Sequence, residues 1–347
     1  MVDRVIVADP RGFCAGVEMA IKALTWMVRI FEPPVYCFHQ IVHNQWVVSA
    51  FEKVGVIFVD DISQVPLGAP VMLSAHGSAP EVVAGAQERA AVVIDAVCPL
   101  VTKVHHEVKS MAGKGYDIIY VGHHGHDEAI GTVAEAPSAI TFVEPDDSLA
   151  SFSPADPSKV ALLAQTTLGM YEWQAVLDEA GTSFPDLVTS RKSDLCYATT
   201  NRQEAVQVLA QQCDLILVIG SESSSNTKAL VRVAQQSGLA SKRIDSASDI
   251  EDGWLEGVEV VGVTAGASAP DHLVQEVITH LAPTAGFELL HITEEEEYFP
   301  LPRQLRSFVA VLQALVEAGV TARKPGQPGW LERDRDWTAT EALEFIS

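Results

Sequence analysis

The amino-acid sequence predicts an α/β protein built from three similar α/β lobes, on three observations. Short β-branched runs alternate with helical periodicity along the chain, the pattern of mainly parallel sheets. These runs end in loops rich in Gly, Ser, His and Thr, where open α/β sheets gather their ligands. Cys14, Cys98 and Cys196 each follow an extended segment, precede a helix-like stretch and are trailed by the same kinds of polar loop.

Strands are expected over 5–8, 56–59, 71–74, 92–95, 118–121, 215–219 and 258–263. After Cys14 the residues Val17, Ala20, Ile21 and Leu24 recur at helical spacing, as do Val101, Val104, Val108 and Met111 after Cys98. After Cys196, Thr200 and Gln203 read as a capping box opening the helix NRQEAVQVLA.

The repeat is the more informative feature. His43 lies 29 positions after Cys14, His126 lies 28 after Cys98, and Asn226 lies 30 after Cys196. A second polar loop follows in each third: SAHGSAPE around His76, AQTTLG around Thr166 and TAGASAPD around Ser268. Three lobes are therefore expected over 1–97, 98–195 and 196–281, each offering one cysteine and two loops to a common centre. The remainder, 282–347, reads as a C-terminal segment with a peripheral tail; its acidic run 294–297 is expected to be a solvated face, and the Pro/Gly-rich KPGQPGW follows.

Composition excludes several classes of function. With 23 Lys plus Arg against 46 Asp plus Glu, the formal charge of −23 repels nucleic acid and anionic membrane surfaces. No uncharged apolar run reaches the roughly 18 residues of a membrane span, and MVDRVIVADPRGF lacks the layout of a signal peptide. Five widely spaced cysteines, an odd number, point to reduced thiols in the cytoplasm rather than a disulfide framework.

Three thiolates from separate lobes suit zinc or an iron–sulfur cluster, although short C-x2-C spacings are absent. A cluster held by only three cysteines leaves one iron without a protein thiolate, and that iron can polarise a substrate oxygen. Cys37 and Cys213 are expected to be small buried hydrophobes. The loops supply His43, His76, His126, Thr166, Thr167, Ser224, Ser225, Asn226 and Ser268, several at helix starts, a set suited to phosphate or diphosphate. His105, His106 and His123 are expected to be bystanders. Glu128, two residues after His126, is placed to donate a proton to a departing hydroxyl. Neither GxGxxG nor a Walker motif occurs, so a nicotinamide in a Rossmann fingerprint is not expected.

The segments PRGFCAGV, IVHN, SAHG, CPLVTKVH, GHHGHDE, QTTL, CYATTNRQEAV, the SSN of GSESSSN, GVTAGASAPD and a closing PLPRQLR run in order from about residue 4 to residue 306. Together they resemble the LytB family of 4-hydroxy-3-methylbut-2-enyl diphosphate reductases. The resemblance implies a pseudo-threefold arrangement of the lobes around one 4Fe-4S cluster held by Cys14, Cys98 and Cys196, its fourth iron open to the substrate hydroxyl. It implies that His43, His76, His126, Ser224, Ser225, Asn226 and Ser268 cradle an allylic diphosphate, that Thr166 or Thr167 contacts the hydroxyl, and that Glu128 relays protons. The implied reaction is a two-electron reductive dehydroxylation giving isopentenyl and dimethylallyl diphosphates, with ferredoxin or flavodoxin as electron donor. Two departures stand out: Asp127 occupies a position where the family commonly has Pro, and about forty residues follow the last motif. A zinc-dependent phosphate-ester hydrolase and a non-catalytic iron–sulfur sensor are the rival readings of the same residues.

Overall fold

The computed structural model describes residues 2–190, 193–319, 334–335 and 337–346. The KPGQPGW segment lies outside the described residues.

The chain opens with β1 (Arg4–Asp9) and α1 (Ala15–Ile30), then β2 (Val35–Phe38), α2 (Gln45–Lys53), β3 (Val56–Val59), β4 (Pro70–Leu73), α3 (Pro80–Arg89) and β5 (Val92–Asp95). Next come α4 (Pro99–Gly113), β6 (Asp117–Val121), α5 (Asp127–Ala134), β7 (Ile140–Val143), β8 (Val160–Ala164), α6 (Met170–Ser183) and β9 (Val188–Thr189). Then follow α7 (Tyr197–Leu209), β10 (Leu215–Ile219), α8 (Ser225–Gln236), β11 (Ala240–Ile244), β12 (Val260–Ala265), α9 (Asp271–Leu281), β13 (Phe287–His291), α10 (Arg303–Glu317) and α11 (Ala339–Ile346).

These strands form three sheets, ordered β11-β10-β12-β1-β13, β3-β2-β4-β5 and β7-β6-β8-β9, with every described pairing parallel. Parallel strands covered on both faces read as unbroken apolar runs, and every residue of LILVI in β10 and VALLA in β8 is buried. At the edge, β13 leaves Phe287 and Leu289 more than half exposed and pairs Glu288 with Arg4. The expected strands 56–59, 92–95 and 215–219 coincide with β3, β5 and β10, while β2, β7, β8, β9, β11 and β13 lie outside the expected runs.

Two compact units result. One comprises Met1–Cys14, Ser78–Pro80 and Leu100–Glu296, the other Ala15–Gly77, Glu81–Pro99 and Glu297–Ser347. The first holds the five-stranded sheet and the β6 sheet, with cores built from β1, β10 and β12 under α9 and from β6 and β8 under α6. The second holds the β2 sheet, where Tyr36, Phe38, Val71 and Leu73 pack on Ala86.

The expected lobe limits differ from this structure in two places. Segment 4–9, placed by sequence in the 1–97 lobe, pairs with β12 and β13 and completes the sheet of the third lobe. The tail is not peripheral throughout: α11 buries Ala339, Ala342 and Leu343, and Glu18 of α1 accepts the Ala339 amide at 2.6 Å. Lys22, only 3% exposed, donates to the carbonyls of Asp334 (2.7 Å) and Trp337 (2.9 Å). A buried ammonium requires such partners, so these bonds tie the tail to α1. Among the described residues no helix is long and apolar enough to cross a membrane.

Candidate active site

Each expected site residue lies just beyond the carboxyl end of a parallel strand, the position where α/β sheets bind ligands. Within the second unit, His43 follows β2, His76 follows β4 and Cys98 follows β5. Within the first, Cys14 follows β1, His126 and Glu128 follow β6, Thr166 and Thr167 follow β8, Cys196 follows β9, Ser224 to Asn226 follow β10, and Ser268 follows β12.

The three cysteines share one local construction. The Cys14 amide donates to the Ala267 carbonyl at 3.2 Å, that of Cys98 to Ala75 at 3.0 Å, and that of Cys196 to Thr166 at 3.0 Å. Each carbonyl belongs to the residue just before Ser268, His76 or Thr167. Every cysteine is thus strapped to the second polar loop of the preceding lobe in cyclic order. Each also immediately precedes a helix, α1, α4 or α7, where unpaired amides and the helix dipole favour a thiolate. The turn into Cys14 uses Gly12 at φ +65°, a left-handed conformation that glycine adopts without strain.

Cys196 is the N-cap of α7: its Sγ accepts the Thr199 amide at 3.3 Å and lies 3.1 Å from Thr199 Oγ1. This corrects the expected capping box, because Thr200 falls inside the helix, and Gln203 instead accepts the Met170 amide and donates to the Leu168 carbonyl. Burial first, and then the charge of Cys14, push the Cys196 thiol up to about 11, against the pull of Thr199. A buried sulfur whose proton affinity is raised by a second sulfur nearby is a donor that a bound cation or cluster relieves, since metal ligation deprotonates thiols. Cys14 and Cys196, both in the first unit, therefore have the chemistry of metal ligands. Cys37 is fully buried in β2, as expected, whereas Cys213 is only partly buried, packed against the core beside β10, where burial raises it to about 12.

Glu128 is the most perturbed carboxyl of the site. It is 2% exposed; its Oε1 accepts the Thr166 amide at 2.7 Å and its Oε2 the Thr166 hydroxyl at 2.9 Å. Burial lifts it to about 7, the two Thr166 bonds offsetting part of the rise. His126 N-caps α5 by accepting the Glu128 amide on Nδ1 at 3.2 Å, so its ring proton is assigned to Nε2. Asp127 takes the first position of α5, where Pro is equally at home.

The diphosphate candidates divide between the units. Ser224 caps α8 and accepts the Thr227 amide; Asn226 accepts the Ala267 amide at 2.9 Å and donates to Thr199 Oγ1 at 3.4 Å. Ser224, Ser225, Asn226 and Ser268 are all buried. In the second unit the rings of His43 and His76 stack with centroids 3.9 Å apart, and Asn44 caps α2.

Sequence reasoning missed three groups here. Thr199 joins Cys196 to Asn226, and only its place in the turn after a cap hints at that role. Arg202 is wholly buried and donates to the Gly12 and Ala198 carbonyls and to Glu295 at 2.8 Å. This corrects the solvated reading of the acidic run, in which Glu295 neutralises the guanidinium behind the Cys14 turn. His123, expected to be a bystander, reaches Ser225, whereas His105 Nδ1 lies 2.9 Å from Glu135, with burial disfavouring its charged form.

The family described as LytB protein matches residues 5–282. A 4-hydroxy-3-methylbut-2-enyl diphosphate reductase of Mycolicibacterium paratuberculosis is 46% identical over 308 residues, 88% of this chain and 92% of that protein. One from Streptomyces coelicolor is also 46% identical, over 87% of this chain and 90% of its own. The solved E-1-hydroxy-2-methyl-but-2-enyl-4-diphosphate reductase of Plasmodium falciparum superposes with a TM-score of 0.86 at 32% identity, covering 90% of this chain and all of that one. A solved (E)-4-hydroxy-3-methyl-but-2-enyl diphosphate reductase, described as the terminal enzyme of the non-mevalonate pathway, gives 0.57 at 29% identity over 81% and 99%.

Proposed function

The chain belongs to the LytB family, and from that membership we propose that it reductively dehydroxylates (E)-4-hydroxy-3-methylbut-2-enyl diphosphate to isopentenyl and dimethylallyl diphosphates. This is the last step of the non-mevalonate isoprenoid pathway. The reading is carried by one juxtaposition: the carbonyl of Thr166 holds the Cys196 amide, while its amide and hydroxyl hold a carboxyl that titrates near neutrality.

Cys14, Cys98 and Cys196 would hold one 4Fe-4S cluster with its fourth iron open; when bound, that group supplies electrons and a Lewis-acidic position. The reaction consumes two electrons and two protons for each hydroxyl lost as water, one proton going to the departing oxygen and one to carbon. Glu128 holds the first. In its ionised form it accepts the Thr166 hydroxyl proton; once protonated, it donates to Thr166 Oγ1, whose own hydrogen turns to the substrate oxygen. A carboxyl near 7 is matched to that exchange. Its burial keeps bulk water from short-circuiting the transfer.

His43, His76, His126, Ser224, Ser225, Asn226 and Ser268 hold the diphosphate and thereby orient the allylic carbon. The diphosphate itself guides the proton to carbon. A ferredoxin or flavodoxin supplies the electrons, in the cytoplasm.

Anaerobic purification followed by iron and sulfide analysis tests this reading. About four irons and four sulfides per chain are expected, with both products formed under viologen reduced by dithionite. A colourless zinc protein, or a cluster-bearing protein without turnover, overturns it.

A further inference from the structure

Behind Ser225, within the first unit, lies a second set of polar groups. Gln165, wholly buried, accepts the His123 amide on Oε1 at 3.0 Å. That contact fixes the amide orientation, so Nε2 donates both its hydrogens, to Thr167 Oγ1 at 2.8 Å and to Ser225 Oγ at 3.1 Å. The His123 ring places Nδ1 3.3 Å from Ser225 Oγ and Nε2 3.1 Å from Arg232 NH2. A guanidinium carries only donors. Nε2 is therefore the lone-pair nitrogen, and Nδ1–H donates to Ser225. Glu172 holds Arg232 in place at 3.2 Å; at 3.7 Å from Nε2 it is too far to take a ring proton.

We infer that His123 and Arg232 are positioning residues that, with Gln165, saturate the acceptor side of the Ser225 hydroxyl and so turn its hydrogen toward an acceptor-only anion. A serine hydroxyl has one donor and two lone pairs; here Nδ1–H and the Gln165 amide occupy both lone pairs, and the hydroxyl's own hydrogen has only the long 3.5 Å contact to the Thr167 carbonyl, which a bound anion displaces. Thr167 is biased the same way by its bond from Gln165. The pocket thus presents pre-aimed donors to a fully ionised diphosphate and penalises a ligand group that must itself donate. This rests on the proposed diphosphate substrate; it adds how one hydroxyl of the site is oriented and which residues orient it.

The test is a double-mutant cycle between His123→Ala and Ser225→Ala, read as KM for (E)-4-hydroxy-3-methylbut-2-enyl diphosphate and, separately, as affinity for inorganic diphosphate by calorimetry. His123→Ala is expected to raise KM about tenfold, with little change in kcat and full iron content. Its effect should vanish in the Ser225→Ala background. His123→Asn, which returns an N–H close to the Nδ1 position, should restore most of the affinity. Arg232→Met, which frees the other tautomer, should weaken binding in the same direction. Additive effects of the two alanine substitutions, or a His123→Asn variant as weak as His123→Ala, overturn the inference. If the wild-type chain bound inorganic diphosphate in this pattern but turned over no substrate, the catalytic reading would fail and this one would stand.

Discussion

Glu128 grips Thr166 through both carboxylate oxygens, Oε1 on its amide at 2.7 Å and Oε2 on its hydroxyl at 2.9 Å. The adjacent carbonyl of the same threonine receives the Cys196 amide. Acid, hydroxyl and cysteine turn are therefore held by one residue, and a carboxyl so gripped has a single orientation in which to give or take a proton.

Glu128→Gln keeps the size and the acceptor for the Thr166 amide but removes the titrating proton. Turnover is expected to fall by a factor on the order of 100 or more, with iron content unchanged and diphosphate affinity within about twofold. Activity assays beside iron analysis check this, and an active variant would remove Glu128 from the mechanism.

The same carboxyl makes stability depend on pH. An acid whose pKa is raised on folding, here from 4.5 to about 7, contributes stability below 4.5 and loses it as pH rises through 7. Relative to wild type, Glu128→Gln should therefore gain up to roughly 3 kcal/mol between pH 4.5 and 7 and little beyond about pH 8. Urea unfolding at a series of pH values measures the difference; a flat profile would contradict it.

Cys196→Ser is expected to lose cluster iron while keeping α7, because serine is itself a favourable N-cap. Cys213→Ser, on a partly buried cysteine that packs beside Gly262, should retain full iron. Iron and sulfide counts on the two proteins decide, and equal content would break the ligand assignment.

Breaking the Arg202–Glu295 pair leaves a buried guanidinium without its counter-ion, which costs about 3 kcal/mol or more. Glu295→Gln should lower the urea midpoint accordingly and, by loosening the Gly12 turn, shorten the lifetime of bound iron against a chelator. Glu296→Gln, exposed one residue away, should stay within about 0.5 kcal/mol.

Much of the site was legible because it is local. The cysteines, His43, His76, His126 and the Thr and Ser loops end apolar runs, and a strand end followed by a helix start is visible from a few neighbouring residues. Several strands were not: β13 reads FELLH and sits exposed at a sheet edge, β9 has two residues, and β8, VALLA, is a short apolar run that periodicity alone does not tell from helix. Thr199, Arg202 and His123 were missed for another reason. Each acts on a partner distant in sequence, Asn226, Glu295 and Ser225 respectively, and no periodicity records such a pairing.

The sequence by itself determined the parallel α/β class, the threefold recurrence of cysteine and polar loop, and which side chains end the strands, since these follow from apolar periodicity and local turn chemistry. Only the tertiary structure decided that β1 crosses into the last sheet and that each cysteine turn is bonded to the preceding lobe's loop. It alone placed Glu128 where burial lifts its pKa and drew Glu295 out of an acidic run to neutralise Arg202. Those outcomes depend on strand order and on desolvation, which arise when distant segments exclude water from one another.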